Sequence, residues 1–150
     1  MKNLIILLIC FSFLSSVSAL EQKFYTLDGE KVSYEEVTSS PKAVLFLWTT
    51  WCPSCLREIA HLDVNPIIPN DVNFFYINLG ERKSRVKRTV ASLGLTQSTR
   101  DKILLDTNGI LPEKFFIIGV PTFIFFKKGV PVHRSYLINK QLLREVFENE

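Results

Sequence analysis

Short apolar runs recur along this 150-residue chain and predict the strands of a sheet. Two of them, residues 43–49 and 72–79, are apolar enough to be buried on both faces of the sheet. The last two runs flank Lys128-Gly129, a pair that is typical of the turn in a β-hairpin. The predicted strands are residues 24–27, 43–49, 72–79, 103–105, 122–126 and 130–136.

Segments with helical features alternate with these strands. Apolar residues recur at helical spacing between residues 82 and 93, and Gly94 stands where a C-terminal helix cap belongs. Ser33 and Glu36 have the spacing of a capping box and predict one short helical turn. Strands and helices that alternate before a closing hairpin and helix predict an α/β fold with a central mixed β-sheet. The other predicted helices are residues 53–63, 112–116 and a C-terminal helix capped by Asn139.

The N-terminal segment has the order of a secretory signal. Lys2 gives a positive start, residues 4–14 are almost continuously apolar, and residues 17–19 supply the small side chains of a cleavage site. The apolar run is shorter than the roughly 20 residues of a membrane-spanning helix. We therefore expect a signal peptide at residues 1–19 and one domain at residues 20–150, with an uncleaved membrane anchor as the alternative.

Charge and cysteine content indicate which partners the protein could bind and in which compartment it would work. The chain carries 18 basic and 15 acidic side chains, a balance that gives no argument for a nucleic-acid partner. Cys10 lies inside the predicted signal and would be removed with it. The exported domain would keep Cys52 and Cys55, in a compartment where disulfides persist.

Cys52 and Cys55 follow a predicted buried strand and stand at the start of a predicted helix. The amides and the dipole at a helix N-terminus favour an anion, which lowers the pKa of a thiol placed there. Closing so small a loop removes little chain entropy, so the pair is inefficient as a structural staple. We therefore predict that an exposed Cys52 attacks a substrate disulfide and that Cys55, one turn inward, resolves the mixed disulfide.

Metal binding is the alternative use of the same two thiols. No second pair of this kind exists, and His61 and His133 are the only histidines, so zinc is the weaker hypothesis. Two thiolates could also hold a soft ion such as Cu(I), which would make the protein a copper carrier rather than an enzyme. A copper titration with and without Cys52→Ser would separate these hypotheses. We assign no metal site from the sequence.

Four stretches of the sequence resemble the thioredoxin superfamily. The one that ends in Trp51-Cys52-Pro53-Ser54-Cys55 is similar to the active-site strand and helix start, and the last is similar to the loop that carries the cis-proline. The other two point to the TlpA/ResA-like branch, the exported thioredoxins. This resemblance implies a thioredoxin fold, in which a central mixed β-sheet is flanked by helices on both faces. The four stretches are residues 24–29, 44–55, 103–109 and 119–122.

The resemblance implies a role for each matching position. Cys52 and Cys55 match the redox-active disulfide, and Pro121 matches the cis-proline beside which a substrate chain pairs with the backbone. Glu58 matches an acidic residue whose carboxylate exchanges the proton of the resolving thiol. A surface glutamate with no such role is the alternative for Glu58. The implied substrate-binding residues are Trp51, Pro53, Val120 and Pro121.

Two positions depart from the family's pattern. Phe46 stands where thioredoxins carry a buried aspartate, which removes one route for proton transfer to the resolving cysteine. Proton transfer to the resolving cysteine would then depend on Glu58 or on water. Ala60 stands where the active-site helix often bears a kinking proline, so we expect a straighter helix.

The resemblance implies an extracytoplasmic thiol–disulfide oxidoreductase that is secreted across the inner membrane and acts on protein substrates in the periplasm. Reduction is usual in this branch, for example of apocytochrome c thiols, with electrons from a membrane thiol transporter of the CcdA/DsbD type. No cofactor is implied beyond the cysteine pair, and membrane association follows only if the signal is not cleaved. An oxidant role toward folding exported proteins stays the alternative, because Phe46 does not decide the direction.

Overall fold

The structure, a computed structural model, describes residues 22–148. The predicted signal peptide lies outside the described residues, so the signal and the boundary after residue 19 stay predictions. Within the described range, no helix is long and apolar enough to cross a membrane. In chain order the elements are β1 (Lys23–Thr26), β2 (Lys31–Ser33), α1 (Tyr34–Thr38), β3 (Ala43–Trp48), α2 (Pro53–Val64), β4 (Asn73–Leu79), α3 (Lys83–Ser92), α4 (Gln97–Arg100), β5 (Ile103–Asp106), α5 (Ile110–Lys114), β6 (Thr122–Lys127), β7 (Val130–Ser135) and α6 (Lys140–Glu148).

The strands form one mixed sheet of seven strands in the order β2-β1-β5-β4-β3-β6-β7. Neighbours β3, β4 and β5 are parallel, and the other pairs are antiparallel. Apolar residues of α2, α3 and α6 join the hydrophobic cluster on one face, and those of α1 and α5 join the cluster on the other. The predicted fold class, a mixed sheet with helices on both faces, is confirmed.

Strand β3 lies in the middle of the sheet, and all six of its residues are buried. Phe46 and Trp48 belong to the cluster under α2, whereas Leu45 and Leu47 belong to the cluster on the opposite face. Side chains alternate between faces along a strand, so a strand covered on both sides needs apolar residues at every position. This explains the continuous apolar run in the sequence.

The predicted hairpin joins β6 to β7. Its turn residues Lys128 and Gly129 both have positive φ, 51° and 82°. Two successive positive φ angles are characteristic of a type I′ turn, whose twist matches that of the flanking strands. The predicted capping box is also confirmed: Ser33 Oγ accepts from Glu36 N at 3.1 Å, and Glu36 Oε2 accepts from Ser33 N at 2.6 Å.

Helix α5 differs from its prediction, because it begins at Ile110 rather than at Pro112. The fully buried carboxylate of Asp106 accepts hydrogen bonds from Ile110 N at 3.0 Å and from Leu111 N at 2.8 Å. These bonds satisfy two amides of the first turn that have no partner within the helix. Helix α5 therefore starts where the buried carboxylate can reach it.

Replacing Asp106 by alanine is expected to lower the free energy of unfolding by about 3 kcal/mol. The change leaves two amides without their charged acceptor, and one of them, on Leu111, is fully buried. Urea unfolding of the oxidised protein measures the effect. Asp71→Ala is the control, because its exposed ion pair with Lys42 contributes at most about 1 kcal/mol. Equal losses in the two variants would contradict the capping role.

Candidate functional site

The candidate site lies at the edge of the sheet where β3 ends and β6 begins. Leu47, near the end of β3, pairs with Thr122, the first residue of β6. The chain continues from β3 to Cys52, and it enters β6 through Pro121. Antiparallel pairing of β3 with β6 therefore brings the segments that carry Cys52 and Pro121, which are far apart in the sequence, to the same edge of the sheet.

Cys52 and Cys55 form a disulfide at the N-terminus of α2. Cys52 is the N-cap of this helix, and its Sγ accepts a hydrogen bond from Cys55 N at 3.1 Å. The Oγ of Ser54 lies 3.4 Å from the same sulfur. Backbone and hydroxyl donors at a helix N-terminus favour negative charge on that sulfur, which suits a thiolate when the pair is reduced.

The exposure of the two cysteines differs in part from the prediction. Cys52 was expected to be exposed, but only 5% of its surface is accessible, against 0% for Cys55. The N-cap position and the surrounding apolar cluster account for this burial, because both cysteines belong to the cluster under α2. The order of access is as predicted, since solvent reaches Cys52 and not Cys55.

The Val120–Pro121 peptide bond is cis, as the resemblance to the thioredoxin superfamily implies. Both residues are half-buried, and Val120 packs against the cluster that contains Cys52 and Cys55. The hydroxyl of Thr122 donates to Gly119 O at 2.7 Å across this loop. Residues 119–122 thus form a hydrogen-bonded loop beside the disulfide, while the substrate-binding role of Val120 and Pro121 stays a prediction.

Trp51 and Pro53 flank Cys52 on the protein surface. The side chain of Trp51 is 68% exposed, and Pro53 is exposed at the first position of α2. The sequence predicts that Trp51 offers an apolar platform to substrates, and its position permits this role. Trp48, which belongs to the predicted buried strand at residues 43–49, is fully buried.

Three further exposed apolar residues lie at the same edge of the sheet, and the sequence did not point to them. Ile118, 91% exposed, precedes the cis-proline loop, and Tyr136 and Leu137 follow β7, whose end pairs with the start of β6. The sequence gives little reason to single out these three residues, because exposed apolar residues are common in proteins. Together with Trp51 they give the site a discontinuous apolar rim.

Phe46 occupies the interior beneath the disulfide. It is fully buried in the cluster that holds both cysteines, and its ring stacks on Phe123 with centroids 4.5 Å apart. An aromatic ring can neither accept nor release a proton, so this position offers no proton route to Cys55. The replacement of the family's aspartate by Phe46 therefore leaves the core around the cysteines without a proton-transfer group at this position.

Glu58 is half-buried on α2, one turn after Cys55. The structure places it near Tyr76, whose ring lies 5.8 Å from that of Phe46. Burial, more than the nearby carboxylates of Asp63 and Glu58, raises the pKa of Tyr76 to about 12. The role of Glu58 in proton transfer stays a prediction.

The raised pKa of Tyr76 predicts a loss of stability at alkaline pH. The unfolded chain loses this proton at the ordinary pKa of about 10, while the folded protein holds it until about 12. Between these values stability falls as the pH rises, by up to about 1.4 kcal/mol per pH unit. Urea unfolding across this range should show a shallower decline for Tyr76→Phe than for the wild type. Identical slopes would contradict the prediction.

Within residues 22–148, no three His, Cys, Asp or Glu side chains are grouped so that they could hold a metal ion. The two cysteines are joined to each other in this structure.

Comparison with known proteins relates the chain to thiol–disulfide oxidoreductases. No family model matches it. Sporulation thiol-disulfide oxidoreductase A of Bacillus subtilis is 28% identical over 109 residues, which cover 69% of this chain and 63% of that protein. Thiol:disulfide interchange protein DsbE of Vibrio cholerae is 26% identical over 105 residues, which cover 69% of this chain and 54% of that protein. The chain thus spans less than two thirds of the length of these curated relatives.

The fold comparison covers more of the chain. The crystal structure of StoA from Bacillus subtilis superimposes with a TM-score of 0.64 and 25% identity, covering 82% of this chain and 92% of that one. The chain has a thioredoxin-like fold and is similar in sequence and in fold to thiol–disulfide oxidoreductases of the StoA and DsbE type.

Proposed function

We propose that the protein catalyses thiol–disulfide exchange with protein substrates through Cys52 and Cys55. The observation that carries the proposal is the disulfide at the N-terminus of α2, beside a cis-proline loop, with only Cys52 accessible to solvent. The names of the curated relatives support the same chemistry. The reaction uses the cysteine pair itself, and we propose no further cofactor.

The exchange proceeds in two steps. In the reducing direction the Cys52 thiolate attacks a substrate disulfide, forms a mixed disulfide with one substrate sulfur and releases the other as a thiolate. The Cys55 thiolate then attacks Cys52 Sγ, which restores the Cys52–Cys55 disulfide and releases the second substrate sulfur. Two electrons pass from the protein to the substrate, and the released thiolates take up the protons that the two cysteines lost.

The substrate chain would lie across Pro121 and the residues beside it. Thr122 already pairs with Leu47 inside the sheet, whereas Val120 and Pro121 precede the paired part of β6. An extended substrate segment can align its backbone with such a stretch, much as an added strand does. Trp51 and Pro53, exposed on either side of Cys52, would contact the same segment.

Glu58 would exchange a proton with the thiol of Cys55. The two residues are three positions apart on α2 and therefore lie on the same side of the helix. Since Phe46 offers no proton route, Glu58→Gln is expected to slow the second step of exchange by about tenfold. Stopped-flow measurement of mixed-disulfide decay tests this, with the surface variant Glu145→Gln as control. Equal rates in all three proteins would remove Glu58 from the mechanism.

We further propose that the protein works as a reductant outside the cytoplasm, supplied with electrons by a membrane thiol transporter of the CcdA/DsbD type. The apolar segment at residues 4–14 supports export, and apocytochrome c thiols are one client class of this branch. If the signal is retained, the protein is anchored to the membrane. An oxidant that introduces disulfides into folding exported proteins would use the same residues in the reverse direction.

Equilibration of the purified protein with glutathione buffers tests both the chemistry and its direction. Trp51 lies next to the disulfide, so tryptophan fluorescence can follow its reduction. A reversible two-electron transition near the roughly −270 mV of thioredoxin supports the reductant, and one near −120 mV supports the oxidant. The Cys52→Ser variant should show no transition. If the wild type shows none either, the proposed exchange activity is wrong and the Cu(I) carrier becomes the hypothesis to test.

A further inference from the structure

The carboxylate of Glu81 reaches the loop that precedes the cysteines. Its Oε2 accepts a hydrogen bond from Thr50 N at 2.6 Å, and its Oε1 accepts one from Thr50 Oγ1 at 2.6 Å. Oε2 also accepts from Asn78 Nδ2 at 2.8 Å. The side chain of Glu81 is only 10% exposed, and the guanidinium of Arg85 lies 4.0 Å away. Glu81 is thus a nearly buried carboxylate with three short bonds, two of them to one loop residue.

The end of β4 brings Glu81 to this loop. Gly80 has φ of +66°, a backbone conformation that favours glycine, and its N–H donates to Asp106 O at 2.9 Å. The chain therefore turns immediately after Leu79, and Glu81 returns toward the neighbouring strand β3. Asn78, which is 1% exposed, sits opposite Trp48 in the parallel pairing and orients the carboxylate from below.

Thr50 lies two residues before Cys52, inside a turn. Cys52 N donates to Thr49 O at 3.3 Å, which closes this turn, and Glu81 holds the amide and the hydroxyl of Thr50 within it. Within residues 22–148, no side chain other than that of Glu81 forms a hydrogen bond with Thr50. The carboxylate therefore limits how far Trp51 and Cys52 can move relative to the sheet.

We propose that Glu81 is a positioning residue for thiol–disulfide exchange. Acting through Thr50, it holds the turn at residues 49–52 so that Cys52 meets the substrate sulfur in a productive orientation. This inference rests on the proposed exchange activity. Charge-assisted bonds to a carboxylate are about twice as strong as neutral ones, which suits a residue that must hold a solvent-facing loop in one conformation.

Glu81→Ala is expected to lower kcat/KM for reduction of a protein disulfide such as that of insulin at least about tenfold. Displacing a reacting group by about 1 Å can cost about a hundredfold in rate, so partial loosening gives a smaller loss. Glu81→Gln should remain within about threefold of the wild type. Its amide oxygen can accept from Thr50 N and Asn78, and its amide nitrogen can donate to Thr50 Oγ1.

Asp63 provides a matched control at the other end of α2. Its carboxylate accepts from the amide of Thr96 at 3.2 Å and from the same residue's hydroxyl, the same pair of donors that Thr50 offers to Glu81. Asp63→Ala should therefore lose stability much as Glu81→Ala does, yet leave kcat/KM unchanged. A loss of kcat/KM in Asp63→Ala equal to that in Glu81→Ala would show a merely structural role and overturn the proposal.

Alkylation of the reduced proteins by iodoacetamide separates this proposal from the proposed function. If wild-type protein reduces no protein disulfide, the proposed function fails, while the alkylation rate of Cys52 still reports on its positioning. We expect that rate to change at least about threefold in Glu81→Ala and to stay unchanged in Asp63→Ala. If Glu81→Ala does not fold, Thr50→Val replaces it as the test, because it removes the hydroxyl that donates to Glu81. We expect Thr50→Val to change the alkylation rate of Cys52 by less than Glu81→Ala does. Unchanged rates in Thr50→Val and Glu81→Ala, or equal losses in Glu81→Gln and Glu81→Ala, would overturn the positioning role.

Discussion

Replacing Cys55 by serine is expected to convert the protein into a trap for its substrates. Cys52 can still attack a substrate disulfide, but no second thiol remains to resolve the mixed disulfide, so the covalent adduct accumulates. The structure supports this order of attack, because 5% of the Cys52 surface is accessible and none of the Cys55 surface is. Incubation with an oxidised test protein, followed by non-reducing electrophoresis and mass spectrometry, measures the adduct.

Cys52→Ser is the matched control for this trap. The buried Cys55 cannot reach a substrate sulfur from outside, so this variant should form essentially no adduct and show no exchange. Comparable adducts in the two variants would mean that Cys55 is accessible in solution. The assignment of Cys52 as the attacking residue would then be wrong.

Replacing Phe46 by alanine is expected to lower the free energy of unfolding by about 3–5 kcal/mol. The side chain is fully buried in the central strand and stacks on Phe123, so its removal leaves a cavity that the surrounding strands cannot easily fill. Urea unfolding of the oxidised protein, with the disulfide intact in every sample, measures the change.

Phe116→Ala makes the same chemical change at the surface and serves as its control. Phe116 is 82% exposed, so we expect a change within about 0.5 kcal/mol. A loss below about 1.5 kcal/mol in Phe46→Ala would mean that the core relaxes around the missing ring. The position would then be more tolerant of a polar residue than the structure indicates.

Elements that depend on local chemistry could be predicted from the sequence. The capping box of Ser33 and Glu36 and the turn at Lys128-Gly129 form where their residues permit, because their bonds and dihedral angles involve neighbours in the chain. Strand β3 was also predictable, since a short continuous run of apolar residues is typical of a strand covered on both faces.

The sequence prediction lacks β2 and α4 and differs from the structure at the start of α5. Strand β2 has three residues and is defined by its pairing with β1, and α4 is a single turn of Gln97–Arg100. The start of α5 was placed two residues late, because its first amides bond to the side chain of Asp106. These elements are too short for a repeating pattern of apolar and polar residues to be recognised in the sequence.

For the site, the sequence by itself determined the cysteine pair, its place between a buried strand and a helix, and the proline of the opposing loop. The cysteine pair and its place follow from spacing and residue type along the chain, whereas Pro121 was implied by the resemblance to the thioredoxin superfamily. Only the tertiary structure showed that Cys52 is mostly buried, that Ile118 stands at the same edge as Trp51, and that Glu81 bonds to Thr50. The last two of these facts concern positions that are 67 and 31 residues apart, and the pairing of strands in the sheet decides which segments meet. Burial and long-range hydrogen bonds are properties of that packing, so the linear sequence leaves them open.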